Sequence, residues 1–263
     1  MKYGFIGCGN MGSAVIRAVC GASGAEHVLI ANRTPEKAQV LAQELGCAVG
    51  SNQDAATCEY VFLGVKPQMI RDVLSGIRET VATHRPILVT MAAGITTATI
   101  QSILGADYPV IRIMPNTPVA VGAGMVLYCT NNVPAEREQE FLTAMAKAGR
   151  LDRLDEKLID AGTSVSGCGP AWACMFLQAL ADGGVACGLP REKATLYAAQ
   201  MLLGTASLVL ETGKHPEKLK DEVCSPAGST IQGVLALENN GFRGAVTDAV
   251  NASYQRNIEL GKK

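Results

Sequence analysis

Two stretches of this chain carry residue types at a spacing that can do chemistry. Gly7-Cys8-Gly9-Asn10-Met11-Gly12 places three glycines in a G-x-G-x-x-G pattern, directly after the apolar run at 2–6 and directly before the apolar-periodic stretch at 13–19. In that setting the first glycine permits a tight turn and the second lets the backbone approach a pyrophosphate. The third allows close helix-on-strand packing, with the helix dipole aimed at the phosphates. Towards the other end, Cys224-Ser225-Pro226-Ala227-Gly228-Ser229-Thr230-Ile231 is a polar turn that runs into the apolar positions Ile231, Val234, Leu235 and Leu237. A helix that begins there offers unpartnered backbone NH groups to something negative. A dinucleotide at one motif and a small anionic substrate at the other suggest a reductase.

Hydride reduction of a ketone needs a proton donor, commonly His, Lys or Tyr. His27, His84 and His215 all fall in loop-like stretches remote from both motifs, and Lys66 reads as structural or cofactor-facing. An imine that enters already protonated removes the need, because it accepts hydride at carbon and keeps its proton on nitrogen. One hydroxyl to hold that nitrogen then suffices. Thr230 stands at the mouth of the C-terminal helix for this task, and Ser225 with the NH groups near Gly228, Ser229 and Thr230 can take a carboxylate. An ordinary Ser/Thr-capped helix start uses the same residue types, so the loop alone leaves both readings open.

About 20 residues beyond the glycines, an NAD enzyme places a carboxylate on the ribose hydroxyls. This chain has Asn32-Arg33-Thr34 there, with a guanidinium and a hydroxyl and no acid to repel a phosphate. NADPH is therefore expected as the preferred cofactor, with NADH possible. Two further loops, Gly64-Val65-Lys66-Pro67 and Met91-Ala92-Ala93-Gly94, fall at the carboxyl ends of expected strands, where such a sheet presents its ligands. In Arg112-Ile113-Met114-Pro115-Asn116-Thr117-Pro118 a strand ends in a stiff bend, and Asn116 is expected to face the cleft.

These motifs need a frame. Short apolar runs at 2–6, 28–31, 60–65, 87–91 and 110–114 alternate with amphipathic stretches, which predicts βαβ crossovers over a doubly wound parallel sheet. One helix start is legible in detail: Thr34 as cap, Pro35 at the first helical position, Glu36 on the dipole, then Ala38, Leu41 and Leu45, with Gly46 as the stop. Beyond Asp155 the strand signal disappears and helical stretches follow at 156–165, 170–181, 191–211, 216–223, 230–239 and 243–260. The expected division is residues 1–154 for the nucleotide and residues 155–263 for a helical substrate-binding and dimerisation domain. Several of these helices are apolar on more than one face, as in Leu196-Tyr197-Ala198-Ala199-Gln200-Met201-Leu202-Leu203, which predicts a homodimer sharing the helical core.

The composition fits small-molecule chemistry. The 263 residues are 48% hydrophobic, enough for a sizeable core, and a formal net charge of -1 without basic blocks offers no footprint for nucleic acid or an anionic membrane. Nine cysteines, an odd number without C-x-x-C pairs, indicate neither a disulfide framework nor a zinc site and fit a reducing cytosol. The run from Ala171 to Leu177 is broken by Gln178 and Asp182 and falls short of a membrane span. No metal is expected.

The motifs together resemble pyrroline-5-carboxylate reductase over essentially the whole chain. The resemblance rests first on Ser225-Pro226-Ala227-Gly228-Ser229-Thr230-Ile231-Gln232-Gly233-Val234-Leu235-Ala236-Leu237-Glu238. It is supported by Phe5-Ile6-Gly7-Cys8-Gly9-Asn10-Met11-Gly12, Val65-Lys66-Pro67-Gln68, Met91-Ala92-Ala93-Gly94-Ile95, Met114-Pro115-Asn116-Thr117-Pro118 and Ser166-Gly167-Cys168-Gly169-Pro170-Ala171. It implies NAD(P)H-dependent reduction of a cyclic imine to L-proline, a Rossmann-type domain joined to an all-helical dimerisation domain, and assembly of dimers into larger rings. Carried over by position, Thr230 would hydrogen-bond the imine nitrogen, the loop from Ser225 to Thr230 would hold the carboxylate, and Glu156 would sit near the ligand across the dimer. Ile6, Gly7, Gly9, Asn10, Met11 and Gly12 would cradle the cofactor, with Asn32, Arg33, Thr34 and Asn52 at its adenosine end. Gly64 to Pro67 and Met91 to Ala93 would lie along the nicotinamide. Two positions depart from the pattern: Ala227 stands where a second glycine is usual, and Trp172 where Tyr is common.

Two other readings predict different residues. A β-hydroxyacid dehydrogenase wants a catalytic lysine on an interdomain helix, and 170–181 carries none; a non-catalytic NADPH sensor would lose the 225–230 loop before the glycines, and both are present. The Arg33 assignment is tested by Arg33→Ala, which should raise KM for NADPH much more than for NADH. Equal effects on the two would contradict it.

Overall fold

The apolar runs become strands wherever they are sealed on both faces. In the computed structural model, which describes residues 1–261, β1 (Tyr3–Ile6), β2 (Val28–Ala31), β3 (Ala48–Val49), β4 (Tyr60–Leu63), β5 (Ile87–Thr90), β6 (Val110–Met114), β7 (Gly124–Asn131) and β8 (Gly149–Arg153) form one sheet. Its order is β3-β2-β1-β4-β5-β6-β7-β8, parallel throughout except where β7 runs antiparallel to β6. β1 is an interior strand, third from the β3 edge, Tyr3 pairing with Val28 on one side and Tyr60 on the other. The chain reverses direction of growth there, with β2 on one flank and β4 on the other. In a doubly wound sheet that switch point is where a ligand crevice opens.

The crossover helices are α1 (Asn10–Ser23), α2 (Pro35–Leu45), α3 (Asn52–Ala56), α4 (Ile70–Gly76), α5 (Arg78–His84) and α6 (Thr97–Leu104), followed by α7 (Ala135–Ala144) and α8 (Ile159–Ser166). Two apolar layers fill the space between helices and sheet. One gathers Phe5, Val15, Ile30, Phe62 and Phe141, with Phe5 and Phe62 stacked at 4.4 Å; the other gathers Ile6, Leu63, Ile70, Leu74 and Leu88. α2 begins and ends as expected, with Pro35 at its first position and Gly46 in the left-handed conformation, although Thr34 makes no side-chain cap bond.

Three strands were not among the sequence expectations. β3 is two residues long and β8 is an edge with Arg150, Asp152 and Arg153 exposed, so neither carries an apolar alternation. In β7 residues 126–129 are all buried, a continuous run whose periodicity does not distinguish strand from helix.

The described chain divides into two compact units, one of residues 1–168 with 253 onward, the other of residues 169–252. The expected boundary lay at 154/155. Residues 155–168 pack with the sheet instead, and a buried charge is the physical reason. Arg112 on β6 is 1% exposed; it donates from Nη2 to Asp160 Oδ1 at 2.8 Å and lies 3.5 Å from Glu156 Oε1. A guanidinium in a sheet interior requires such carboxylates, and the segment carrying them is drawn onto β6 and β7. Ile159, fully buried beside Met114, Leu127 and Cys129, adds apolar contact, and Asn257 of the C-terminal helix donates to the Asp160 carbonyl.

The second unit contains α9 (Gly169–Ala186), α10 (Arg191–Thr212), α11 (Pro216–Val223), α12 (Ser229–Asn239) and the first half of α13 (Phe242–Gly261). α9 and α10 pack on each other, and Phe176 meets Phe242 at 5.7 Å. The buried hydrophobic residues here are Ala181, Ala194, Ala198 and Leu219, whereas Met175, Leu203 and Leu210 are each more than 60% exposed. Among the described residues no helix is long and apolar enough to cross a membrane. Such a surface fits burial against another protein chain.

Removing one partner of the buried charge tests why 155–168 belongs to the first unit. Asp160→Ala should destabilise the protein by about 3 kcal/mol, a Tm drop of roughly 6–12 °C in a differential scanning experiment, with partial recovery on adding Arg112→Met. An unchanged Tm for Asp160→Ala would contradict the role given to this pair.

Candidate active site

The glycine-rich turn forms because main chain passes main chain at atomic contact. Gly7 has φ +103°, and a Cβ there would lie 2.6 Å from the Gly64 carbonyl oxygen. A Cβ on Gly12 would overlap the Gly7 carbonyl oxygen, and one on Gly64 would lie 2.5 Å from it. Gly9 differs from its neighbours, since a Cβ there would meet no atom within 4 Å. Gly7, Gly12 and Gly64 are thus small so that the protein can close on itself. Gly9 leaves space outside, as a group approaching the backbone requires.

That space lies at the start of α1, which has Gly9 as its N-cap, no side-chain cap and no acidic residue in its first turn. Its leading NH groups and the positive end of its dipole are available to an anion. A cleft of about 800 Å³ opens here, lined by residues that include Ile6, Gly7, Gly9, Asn32, Arg33, Thr34, Asn52, Gly64, Val65 and Lys66. The dimensions and donors suit a dinucleotide.

Asn32 braces the turn. Its Oδ1 accepts from the Cys8 NH at 3.1 Å and its Nδ2 donates to the Thr34 carbonyl at 2.9 Å, so the residue in the usual carboxylate position joins the cradle to the β2–α2 turn. Arg33 and Thr34 are exposed. Lys37, which sequence reasoning missed, also lines the cleft from the first turn of α2. Burial pushes the Cys8 thiol up, with a backbone hydrogen bond and then the Lys37 charge acting in the opposite direction. The available signal was positional: Lys37 is in the same helical turn as the cap at Thr34.

Other expected cofactor residues do not line this cleft. Asn10 and Met11 belong to the first turn of α1, Met11 packing on the core. Pro67 begins a short 3-10 turn, Ala92 is buried in the core, and Met91 and Ala93 pack on separate apolar clusters. Gly94, with φ +74°, passes the backbone of Gly261 at the end of α13, a Cβ there falling 3.0 Å away. Asn116 is 8% exposed, and both ends of its amide are engaged: Oδ1 accepts from the Met125 NH and Nδ2 donates to the Ser166 carbonyl, each at 2.9 Å. It locks the bend after β6 instead of facing the cleft.

Glu156 is likewise committed. Its Oε1 accepts from the Thr97 NH at 2.8 Å and its Oε2 from the Thr97 hydroxyl at 2.7 Å, which fastens the start of α6, while Arg112 lies alongside. Both oxygens have protein partners within one chain, where the resemblance implied a ligand.

In the second unit, helix α12 starts at Ser229 with Gly228 as N-cap, no side-chain cap and no acidic residue in its first turn. Ser225, Ser229 and Thr230 are exposed, with Thr230 at the second helical position. The Gly228 NH donates to the Ser225 carbonyl at 3.0 Å and so closes the turn, which leaves the Ser229 and Thr230 NH groups as the open donors. Ala227 has φ +58°. The left-handed conformation natural to the usual glycine is retained, at a cost of about 1 kcal/mol for a residue with a Cβ.

Comparison with known proteins agrees with this arrangement. A family model described as pyrroline-5-carboxylate reductase dimerisation matches residues 156–260, and one described as NADP oxidoreductase, coenzyme F420-dependent, matches residues 2–94. The pyrroline-5-carboxylate reductase of Synechocystis is 38% identical over 268 residues, which cover 100% of this chain and 99% of that protein. This chain belongs to the pyrroline-5-carboxylate reductase family. The Escherichia coli reductase is also 38% identical, over 99% of this chain and 98% of its own. Among solved structures, the Plasmodium falciparum pyrroline carboxylate reductase, crystallised with NADP bound, matches with a TM-score of 0.89 at 29% identity over 99% of this chain and 98% of that one. The Streptococcus pyogenes enzyme matches with a TM-score of 0.88 at 30% identity, over 98% of each chain. The first family model begins at 156, beside the boundary expected from sequence, although the compact second unit begins at 169.

Proposed function

We propose that this chain catalyses NAD(P)H-dependent reduction of 1-pyrroline-5-carboxylate to L-proline, the last step of proline biosynthesis, with NADPH as the preferred cofactor and NADH accepted. The observation that carries the reading is the presence in one chain of two helix starts without side-chain caps or acids, one behind an open glycine turn and one behind a Ser/Thr loop. The first suits a pyrophosphate and the second a small carboxylate.

The chemistry divides accordingly. When bound, the reduced nicotinamide supplies the hydride. The turn at Gly7, Gly9 and Gly12 and the α1 amides take up pyrophosphate charge, while Arg33, with Thr34 and Lys37, favours a phosphate on the adenosine ribose. Asn52 lines the same cleft. The Ser225 hydroxyl and the Ser229 and Thr230 NH groups hold the substrate carboxylate, and the Thr230 hydroxyl accepts a hydrogen bond from the protonated imine nitrogen. That nitrogen keeps its proton as the adjacent carbon accepts hydride, so no side chain need transfer one. Binding and orientation carry the catalysis.

The functional assembly is a homodimer that covers the exposed faces of α9 and α10, and dimers associate further into a ring. The division of labour follows residues 1–154 for cofactor and 155–263 for substrate and dimerisation, with 155–168 serving both as the start of the helical segment and as a prop for the sheet. Nine free thiols suit a reducing cytosol.

Thr230→Ala should lower kcat roughly ten- to hundredfold, the range expected for losing one hydrogen bond to a charged group, with the Kd for NADPH unchanged in a fluorescence titration. Loss of NADPH binding, or unchanged turnover, would contradict the role given to Thr230.

A further inference from the structure

Among the nine cysteines, two lie together at the edge of the first unit. Cys20, in the last turns of α1, and Cys47, directly after the Gly46 that ends α2, place their sulfurs 3.2 Å apart. Both residues are partly exposed. Neither is held loosely. The Gly46 and Cys47 amides both donate to the Ala42 carbonyl, closing the α2 terminus, and Cys20 lies within α1, whose Gly24 amide donates back to the Cys20 carbonyl. One turn earlier, Arg17 on α1 grips Glu44 on α2 through two parallel hydrogen bonds, the Nη2 to Oε2 contact at 2.7 Å. The two cross-links join the same segments at the same sequence separation, so the ion pair sets the register that brings the thiols face to face.

We propose that Cys20 and Cys47 form a reversible redox site, closing to an intramolecular disulfide by exchange with a small-molecule disulfide. In the first step one thiolate attacks a sulfur of the oxidant, giving a mixed disulfide and releasing one small thiol. In the second step the neighbouring thiolate attacks the protein sulfur of that mixed disulfide, forms the Cys20–Cys47 bond and expels the second small thiol. Two electrons pass from the pair to the oxidant, whose disulfide becomes two thiols.

The bond would close a loop containing β2, the Asn32-Arg33-Thr34 turn and α2, and would tether the strand–turn–helix unit that forms one wall of the cleft. Neither cysteine lines that cleft. The segments are already in contact, so closure calls for a shift on the order of 1 Å in the sulfurs and none in the cleft residues. Oxidation therefore acts as a clamp on the fold, with catalysis retained. Burial, reinforced by Cys47, pushes the Cys20 thiol up to about 12, and burial raises Cys47 as well. The thiolate fraction at neutral pH is therefore small, and exchange accelerates as pH rises.

The test uses the full-length protein treated with oxidised glutathione at pH 8.5, then alkylation and peptide mapping by mass spectrometry without reduction. Expected are a cross-linked peptide pair containing Cys20 and Cys47, the loss of two of the nine thiols, and a Tm higher by at least roughly 4 °C that returns to its starting value on reduction. Turnover should stay within twofold. Cys47→Ser should abolish both the cross-link and the Tm shift, and because mapping is done on the unmodified sequence a poorly folding variant does not remove the test. Thiols lost without this cross-link, adducts at either cysteine alone, or a cross-link that leaves Tm unchanged would overturn the proposal.

Discussion

The close passage of main chain at Gly7 is the constraint on which the cofactor half of this molecule depends. Its carbonyl oxygen lies where a side chain on Gly12 or Gly64 would have to be, so the ends of β1 and β4 and the first turn of α1 meet with no side chains between them. The consequences run outward. Because β1 sits between β2 and β4, the contact is at the point where the sheet changes its direction of growth. The loops following β1 and β4 then both line one cleft, and the open side of Gly9 lies at a helix start with no side-chain cap and no acid in its first turn.

A second constraint acts at the other edge of the sheet. Arg112 in β6 has its Nε without a hydrogen-bond partner and only the other nitrogens to satisfy. Its demand for Asp160 and Glu156 ties residues 155–168 to the sheet, and Glu156 uses its oxygens to anchor α6 as well. The helical unit shows the opposite economy: few large side chains are buried within it, and its apolar faces are left for a partner chain, in keeping with a matched family model described as a dimerisation domain.

Much of this was legible in sequence. The five strands expected at 2–6, 28–31, 60–65, 87–91 and 110–114 all form, because each is a short apolar run bounded by turn residues, and α2 starts and stops at Pro35 and Gly46 as its punctuation says. The G-x-G-x-x-G turn could be read because its glycines answer to local geometry. What was not legible depends on distant partners. Neither the Arg112–Asp160 pair nor the Asn116 bridge to Ser166 and Met125 has a local signature, since each joins residues brought together only by the folded sheet. The Gly228 NH was read as a free donor, but the turn itself consumes it. Ala227 shows that a left-handed position can be occupied without glycine, at a conformational cost that a glycine would not carry.

The account rests finally on hydride passing from the nicotinamide to the imine carbon of a carboxylate-bearing ring. The direct measurement is turnover of 1-pyrroline-5-carboxylate by the purified protein with NADPH carrying deuterium at one or the other face of its nicotinamide C4, with the product analysed by mass spectrometry. The account predicts L-proline carrying one deuterium from one of the two labelled cofactors and none from the other. Cofactor that binds without being oxidised, or is oxidised without delivering deuterium to proline, would contradict it.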